Sequence, residues 1–519
     1  MSCSQPFGGP FRMSQLHTAI GTFRNVSKAA FVSLRRSERV RYSGIASQNT
    51  RIPRGRTLAV IGVVAFALSV WLRIVVVSAH PSNLWLTIDL GVYYDAGKSL
   101  AHGQDALYSS GFGPGNLPYL YPPLTALGFH ELTWLDFDQV KVLTAAVSIG
   151  CLVTVAWSAW GMLGYRAGLG RLGATGIVAA VVIWLEPVHS NLNLGQVNVL
   201  LMALVVADLA QSDRRWTKGV GIGLAAAIKL TPGLFIVYLL LTRRVRAAIV
   251  ATGTFVAVSG GVWLVLPKAS HEFWFHAVGI TPFSRDYAAN QSLQGMFLRL
   301  LNDSDNAAKY PWLLASALIV VAGLVAAALA ANRGAELLGG CVVAVVALEV
   351  SPISWTCHWV WFEPLVVLGV HTALRSRQRR ALAWVTVCTL LALAWPMRVN
   401  DSGGSDPALP LIPTGLINYA PRLHGREEAW DPFQILYGNG YVLAGVVLVV
   451  VALVLELRRL TRSDAFPASA APASSTTAPA ACTAVNDSPR NSVAQAVFTA
   501  GTRNIISEAL AGPTAATPR

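Results

Sequence analysis

The sequence predicts an all-α polytopic membrane protein, and three observations predict it. The 519 residues are 54% hydrophobic and only 13% charged, where a soluble globular chain carries about 25% charged residues. The apolar residues fall in blocks of about 17–25, the length that crosses ~30 Å of hydrocarbon as helix. The Lys and Arg residues sit mostly in short turns between these blocks and in the two tails, as topology determinants do. A membrane β-barrel would instead alternate over segments of about ten residues. "VVAVVAL" and "VVLVVVALVLEL" do not alternate. Mean hydropathy is +0.50.

In chain order, residues 1–56 form a basic, unpatterned tail, with Met13 as an alternative start to Met1. Full spans follow at 57–79, 140–163, 172–189, 196–211, 247–266, 311–332, 335–351, 354–374, 380–397 and 439–460. The membrane domain is therefore 57–460. Residues 461–519 are rich in Ala, Ser, Thr and Pro, a disordered composition. No cleavable signal precedes the first apolar run, which is long enough to stay as a span. Two apolar pieces are broken, 119–134 by Pro122 and Pro123, and 219–241 by Lys229 and Pro232. Each suits a re-entrant element or a pair of short helices. Such backbone is tolerated at membrane depth only where protein or a cavity surrounds it. Counting them gives about 10–12 membrane segments.

The basic turns orient the chain. With both tails in the cytoplasm, that side holds Arg166, Arg171, Arg214, Arg215, Lys218, Arg243, Arg244, Arg246, Arg333, Arg375, Arg377, Arg379, Arg380, Arg458, Arg459 and Arg462, besides ten Lys and Arg in residues 1–56. The long opposite loops, 80–139, 267–310 and 398–438, carry few basic residues. One topology satisfies every turn. It makes the protein a multi-pass membrane protein whose long polar loops are extracytoplasmic.

The same placement in turns and tails excludes a nucleic-acid partner for a chain of net charge +14. The six cysteines show no CxxC pair and no metal spacing, so no metal or other cofactor is expected. No HExxH, Walker loop or GxSxG appears.

What gathers on the outer face is polar and aromatic. Asp89 opens "DLGVYYDAGKSLAHG", where it reads as a helix cap, as a fixed carboxylate, or as both. Asp95 lies six residues on, on another side of the same helix, so the two do not form a close pair. Lys229 sets an ammonium in an apolar piece, which usually marks a polar pathway or a partner. Beside Thr231 and Pro232 it reads as a phosphate site at a broken helix, with snorkelling as the alternative. For Arg73, near the outer end of its span, snorkelling is the reading. His358 lies among Trp355, Trp359 and Trp361, where packing and an interface belt compete with function. Glu186 and Glu363, beside Pro187 and Pro364, read as buried and paired. Amides hydrogen-bond hydroxyls and indoles stack on sugars, so this face suits a glycan and a lipid.

"IDLGVYYDAGKSL", "LYPPLTAL", "WLEPVHS", "LGQVNVLLM", "AAIKLTPGLFIVYLLLTRR", "NQSLQG" and "SPISWTCHWVW" occur in that order. Together, over about 57–460, they resemble glycosyltransferase family 87, membrane mannosyltransferases of the GT-C type. Within it they look like the mycobacterial α-1,2-mannosyltransferases of phosphatidylinositol mannoside and lipomannan synthesis. The resemblance implies a polyprenyl-phosphate-mannose donor, a lipid-linked mannoside acceptor and a periplasmic active site. It implies that Asp89, in the D-L-x-V-Y motif, is the base of an inverting single displacement. For the donor phosphate the candidates are His358 and Lys229. For sugar or headgroup they are Tyr94, Gln196, Asn198, Asn290, Gln291 and Trp355. Cys357 stands where the family's motif implies a first His. The alternatives are an arabinofuranosyltransferase with a decaprenyl-phosphate donor and, from another class, a secondary transporter. The transporter reading lacks the internal repeats that would support it.

Overall fold

The first apolar block folds as α1 (Gly55–Ala79), which exposes Val60, Leu68 and Trp71 on its outer surface. The structure, a computed structural model, describes residues 52, 54–79, 85–103, 107–277, 285–301, 306–376, 395–397, 412–421 and 426–464. α2 (Ile88–Ser99) carries Asp89. A short hairpin, β1 (Gly111–Phe112) with β2 (Leu117–Pro118), precedes α3 (Pro123–His130). Pro123 sits at the helix start, where its missing N–H has no ladder partner to lose. α4 (Phe137–Met162) begins at a capping box. Asp136 Oδ1 accepts from Gln139 N at 2.9 Å, and Gln139 Oε1 from Asp136 N at 3.1 Å.

α5 (Leu169–Val182) crosses α1 with backbones in near contact. A Cβ added at Gly62 of α1 would lie 2.1 Å from the Gly173 carbonyl oxygen. Small residues permit this approach, and in lipid close packing replaces the hydrophobic drive. The single span read at 172–189 is broken. α5 ends at Val182, and α6 (Glu186–Leu194) leaves it at 74°. Pro187, with no N–H, cannot continue the ladder of α5.

α7 (Asn198–Leu209) follows, then α8 (Val220–Ile228) and α9 (Leu234–Leu241). Between these two, Lys229 is extended (φ −152°, ψ 132°) and a single turn spans Thr231–Gly233. The piece at 219–241 is thus a pair of short helices. α10 (Val245–Val265), α11 (Pro267–Glu272), α12 (Leu293–Leu301), α13 (Asn306–Asn332), α14 (Glu336–Val350) and α15 (Phe362–Ser376) complete the middle of the bundle. β3 (Trp395–Met397) pairs antiparallel with β4 (Ile412–Thr414). α16 (Pro432–Gly438) leads into α17 (Gly440–Asp464).

Among the described residues, five helices, α1, α4, α10, α13 and α17, are long and apolar enough to cross a membrane, or six segments if α5 and α6 count as one bent span. Other blocks read as spans are shorter helices here. α7 has 12 residues, and α14 and α15 have 15 each. The block at 380–397 lies outside the described residues except for β3, as do Asp105 and most of both tails.

Two side-chain readings change. Arg73 does not snorkel. It is buried, and its Nη1 lies 2.8 Å from His189 Nδ1 of α6. Glu186 is buried and accepts from Tyr441 Oη at 2.7 Å. Glu363 is buried with no ion-pair partner among the described residues.

Candidate active site

The site forms where α2, the segment before α3, the α6–α7 turn, the α8–α9 break and the turn at 356–361 meet. α6 organises it. Asn193, near its end, takes the Thr87 N–H on its carbonyl (2.7 Å) and the Leu86 N–H on its side-chain oxygen (2.9 Å). These bonds hold Thr87 at φ 47°, a conformation that costs a β-branched residue about 1–3 kcal/mol. The cap position therefore falls on Thr87 and not on Asp89. Asp89 lies in the first turn of α2, where the helix dipole favours a carboxylate.

Gly195 ends α6 at φ +71°, and a Cβ there would meet Leu90 Cβ at 2.5 Å. Only glycine fits both demands. The close approach sets Gln196 beside α2. Gln196 Oε1 accepts from Tyr93 Oη and Tyr121 Oη, each at 3.0 Å, and from Asn198 Nδ2 at 3.3 Å. Asn198 Nδ2 also donates to the Cys357 carbonyl at 3.3 Å, and Asn191 Nδ2 to the same carbonyl at 3.4 Å.

Lys229, freed from both helices, donates to Asn198 Oδ1 (3.0 Å) and Tyr121 Oη (3.4 Å) and lies 3.1 Å from His358 Nε2. An ammonium only donates. His358 Nε2 is therefore an acceptor, and the ring is neutral with its proton on Nδ1. Burial raises the Asp89 carboxyl to about pKa 6, against the opposing pull of the Gln196 side chain and the Lys229 charge.

The sequence candidates divide accordingly. Asp89, Gln196, Asn198, Lys229 and His358 come together. Tyr94 points elsewhere, its hydroxyl donating to the Leu135 carbonyl at 2.7 Å. Asn290 and Gln291 are fully buried and bonded to backbone, Asn290 to Ser354 N (2.9 Å) and Gln291 to the Gly438 carbonyl (2.7 Å). They staple the segment before α12 to the turn at 351–355 and to the start of α17. Trp355 is half-buried beside Tyr287, and its carbonyl accepts from His358 N at 2.8 Å. Asp95 is exposed and accepts from Gly113 N at 3.1 Å. Tyr93 and Tyr121 are the site residues that sequence reasoning missed. Their signal was present as tyrosine hydroxyls inside the two motifs "DLGVY" and "LYPP".

Below Lys229, His358 and Asn198 opens a narrow cleft of about 50 Å³, walled by Met202, Val205, Phe235 and Leu348. A cationic, hydrogen-bonding mouth over an apolar trough matches an amphiphile with an anionic head.

Residues 119–352 match glycosyltransferase family 87. The polyprenol-phosphate-mannose-dependent α-(1-2)-phosphatidylinositol mannoside mannosyltransferase of Mycobacterium tuberculosis is 31% identical over 394 residues, covering 72% of this chain and 86% of its own. The chain belongs to glycosyltransferase family 87. The Mycolicibacterium smegmatis protein of the same description is 32% identical over 401 residues, with 72% and 85% covered. The M. tuberculosis α-(1-2)-phosphatidylinositol pentamannoside mannosyltransferase is 31% identical over 318 residues, with 59% and 72% covered. No solved structure matches the chain. The family match at 119–352 takes in Tyr121, Gln196, Asn198 and Lys229. Asp89 lies before its start, and His358 just beyond its end.

Proposed function

We propose that this family 87 protein transfers mannose from polyprenyl-phosphate-mannose to a mannose 2-hydroxyl of a phosphatidylinositol mannoside type acceptor, at the periplasmic face of the inner membrane. One observation carries the reading: a half-buried carboxylate and a half-buried ammonium share one polar cluster at the mouth of an apolar cleft. The relatives' names support the donor and acceptor classes.

The geometry performs the reaction as follows. The polyprenyl chain lies along the trough toward Phe235 and Leu348. The donor phosphate meets Lys229, with His358 beside it. Asp89 takes the proton of the acceptor 2-hydroxyl as that oxygen bonds to the anomeric carbon. The bond from that carbon to the phosphate oxygen breaks at the same time, and the phosphate leaves as a monoester. That leaving group needs charge stabilisation and no proton, which a desolvated ammonium supplies. One displacement turns a β-linked donor into an α-linked product.

The test is transfer in proteoliposomes from radiolabelled polyprenyl-phosphate-mannose to a phosphatidylinositol mannoside, with α-1,2-mannosidase digestion of the product. The expected result is a product labile to that enzyme. Transfer from decaprenyl-phosphate-arabinose and none from the mannose donor would overturn the assignment.

A further inference from the structure

We propose that Gln196 is a positioning residue: Tyr93, Tyr121 and Asn198 hold its carbonyl oxygen, so its amide N–H is turned onto Asp89 and leaves the other carboxylate oxygen for the acceptor hydroxyl. This deepens the mannosyltransfer reading and rests on it.

The polarity of the chain follows from its one unambiguous donor. The Lys229 ammonium has no lone pair, so the Asn198 atom 3.0 Å away is Oδ1. Asn198 must then turn Nδ2 toward its other neighbours. One of these is the Cys357 carbonyl at 3.3 Å, an obligate acceptor that requires the same orientation. The other is Gln196, 3.3 Å away, which therefore presents Oε1. Both tyrosine hydroxyls fall on that same oxygen, at 3.0 Å each. Nε2 is then the only atom of the Gln196 side chain that can donate, and the side chain lowers the pKa of the Asp89 carboxyl as a donor does. One amide oxygen with three donors is unlike a group waiting for a sugar. Its orientation is fixed before substrate arrives.

The consequence is a link between the two poles of the reaction. The cation assigned to the donor phosphate sets the orientation of two successive amides, and the second amide orients the base. Tyr121 closes a shorter route, since its hydroxyl accepts from Lys229 and donates to Gln196. The groups that face Asp89 from the packed elements are Lys229 at the α8–α9 break, Tyr93 on α2, Tyr121 before α3 and Cys357 on the turn at 356–361. Burial pushes the Tyr93 and Tyr121 hydroxyls up, so both keep their protons and remain donors to Gln196. A donor on the carboxylate favours its ionised form. Removing that donor raises the carboxyl's pKa above about 6.

The experiment is a pH profile of kcat and KM for wild type, Gln196→Met, Gln196→Glu and Tyr93→Phe/Tyr121→Phe in proteoliposomes. It is paired with infrared titration of the Asp89 carboxyl, identified by its loss in Asp89→Asn. For Gln196→Met we expect the acidic limb of kcat to move up by about one pH unit. We expect kcat at pH 7 to fall about tenfold, with the KM for acceptor near wild type and the same upward shift in the infrared titration. Gln196→Glu, which sets a second carboxyl against the first, should shift both further. The double Phe variant should fall between wild type and Gln196→Met. An unmoved limb and an unmoved infrared titration would overturn the proposal. So would a raised acceptor KM at unchanged kcat, which would make Gln196 a sugar contact. Wild-type protein that transfers no mannose would sink the functional reading instead, and the infrared titration would still decide the role of Gln196.

Discussion

Burial lifts the Asp89 carboxyl to about pKa 6 while Gln196 and Lys229 keep it below neutrality, and the reaction uses its ionised form. The sign of the pH dependence follows. The rate rises with pH through about 6, with about a tenth of the plateau left one unit below. A kcat profile between pH 5 and 8 measures this, and a rate that falls over that range would exclude Asp89 as base. Asp89→Asn keeps the shape and removes the base, so transfer should drop by about 10²–10⁴-fold while membrane expression holds. Lys229→Met should raise the donor KM by about tenfold. It also removes a charge that lowers the Asp89 pKa, so the acidic limb should move up with it. Cys357, by contrast, engages the site through its backbone carbonyl, which takes Asn191 and Asn198. Cys357→Ala should therefore retain transfer within a few-fold of wild type. A large loss would assign a role to the thiol.

At the scale of elements, the site depends on how α6 is cut out of a longer apolar run. Gly195 allows α6 to end in a left-handed turn against Leu90. Gly195→Ala pairs a strained φ with a contact too short for any real Cβ, and should destabilise by about 1–3 kcal/mol. Thermal unfolding in detergent would show the loss. Transfer by the folded fraction should fall as well, since Gln196 follows directly. Asn193→Ala releases the Thr87 strain and should lower kcat through the mobility of Asp89 with a smaller change in stability. Part of this was legible in the sequence. Lys229 and Pro232 inside apolar residues announced the α8–α9 break, and the "IDLGVYYDAGKSL" motif announced the helix of Asp89. The 74° bend between α5 and α6 was hidden, because hydropathy averages over a window that a single proline does not interrupt. The convergence of Tyr93 and Tyr121 on Gln196 was hidden for another reason. Those contacts join residues 103 and 75 positions apart, and no local periodicity carries them. The backbone bonds of Asn290 and Gln291 were hidden too, because a buried amide that staples backbone has the same composition as one that binds a sugar.

The whole molecule separates its chemistry from its charged struts. Arg244 forks onto Glu336, which also takes a hydrogen bond from Tyr238 at 3.1 Å. Lys218 pairs with Asp213 at 3.0 Å, and Arg333 with Glu456 at 2.6 Å. These pairs tie the turns after α7, α9 and α13 to the last third of α17. All lie at the end of the bundle opposite Asp89, since α7 runs from Asn198 in the site to Leu209 beside Lys218, whose Nζ reaches the Leu209 carbonyl at 3.1 Å. The turns that the positive-inside rule assigns to the cytoplasm thus cluster together, and the polar site occupies the other end. The sidedness this implies is open to a direct reading with two exposed positions, Ser110 beside β1 and Arg215 after α7. In a variant lacking the six native cysteines, Ser110→Cys should react with a membrane-impermeant maleimide added to whole cells. Arg215→Cys should react only after permeabilisation. The reverse pattern would put Asp89 in the cytosol, out of reach of an acceptor on the far side.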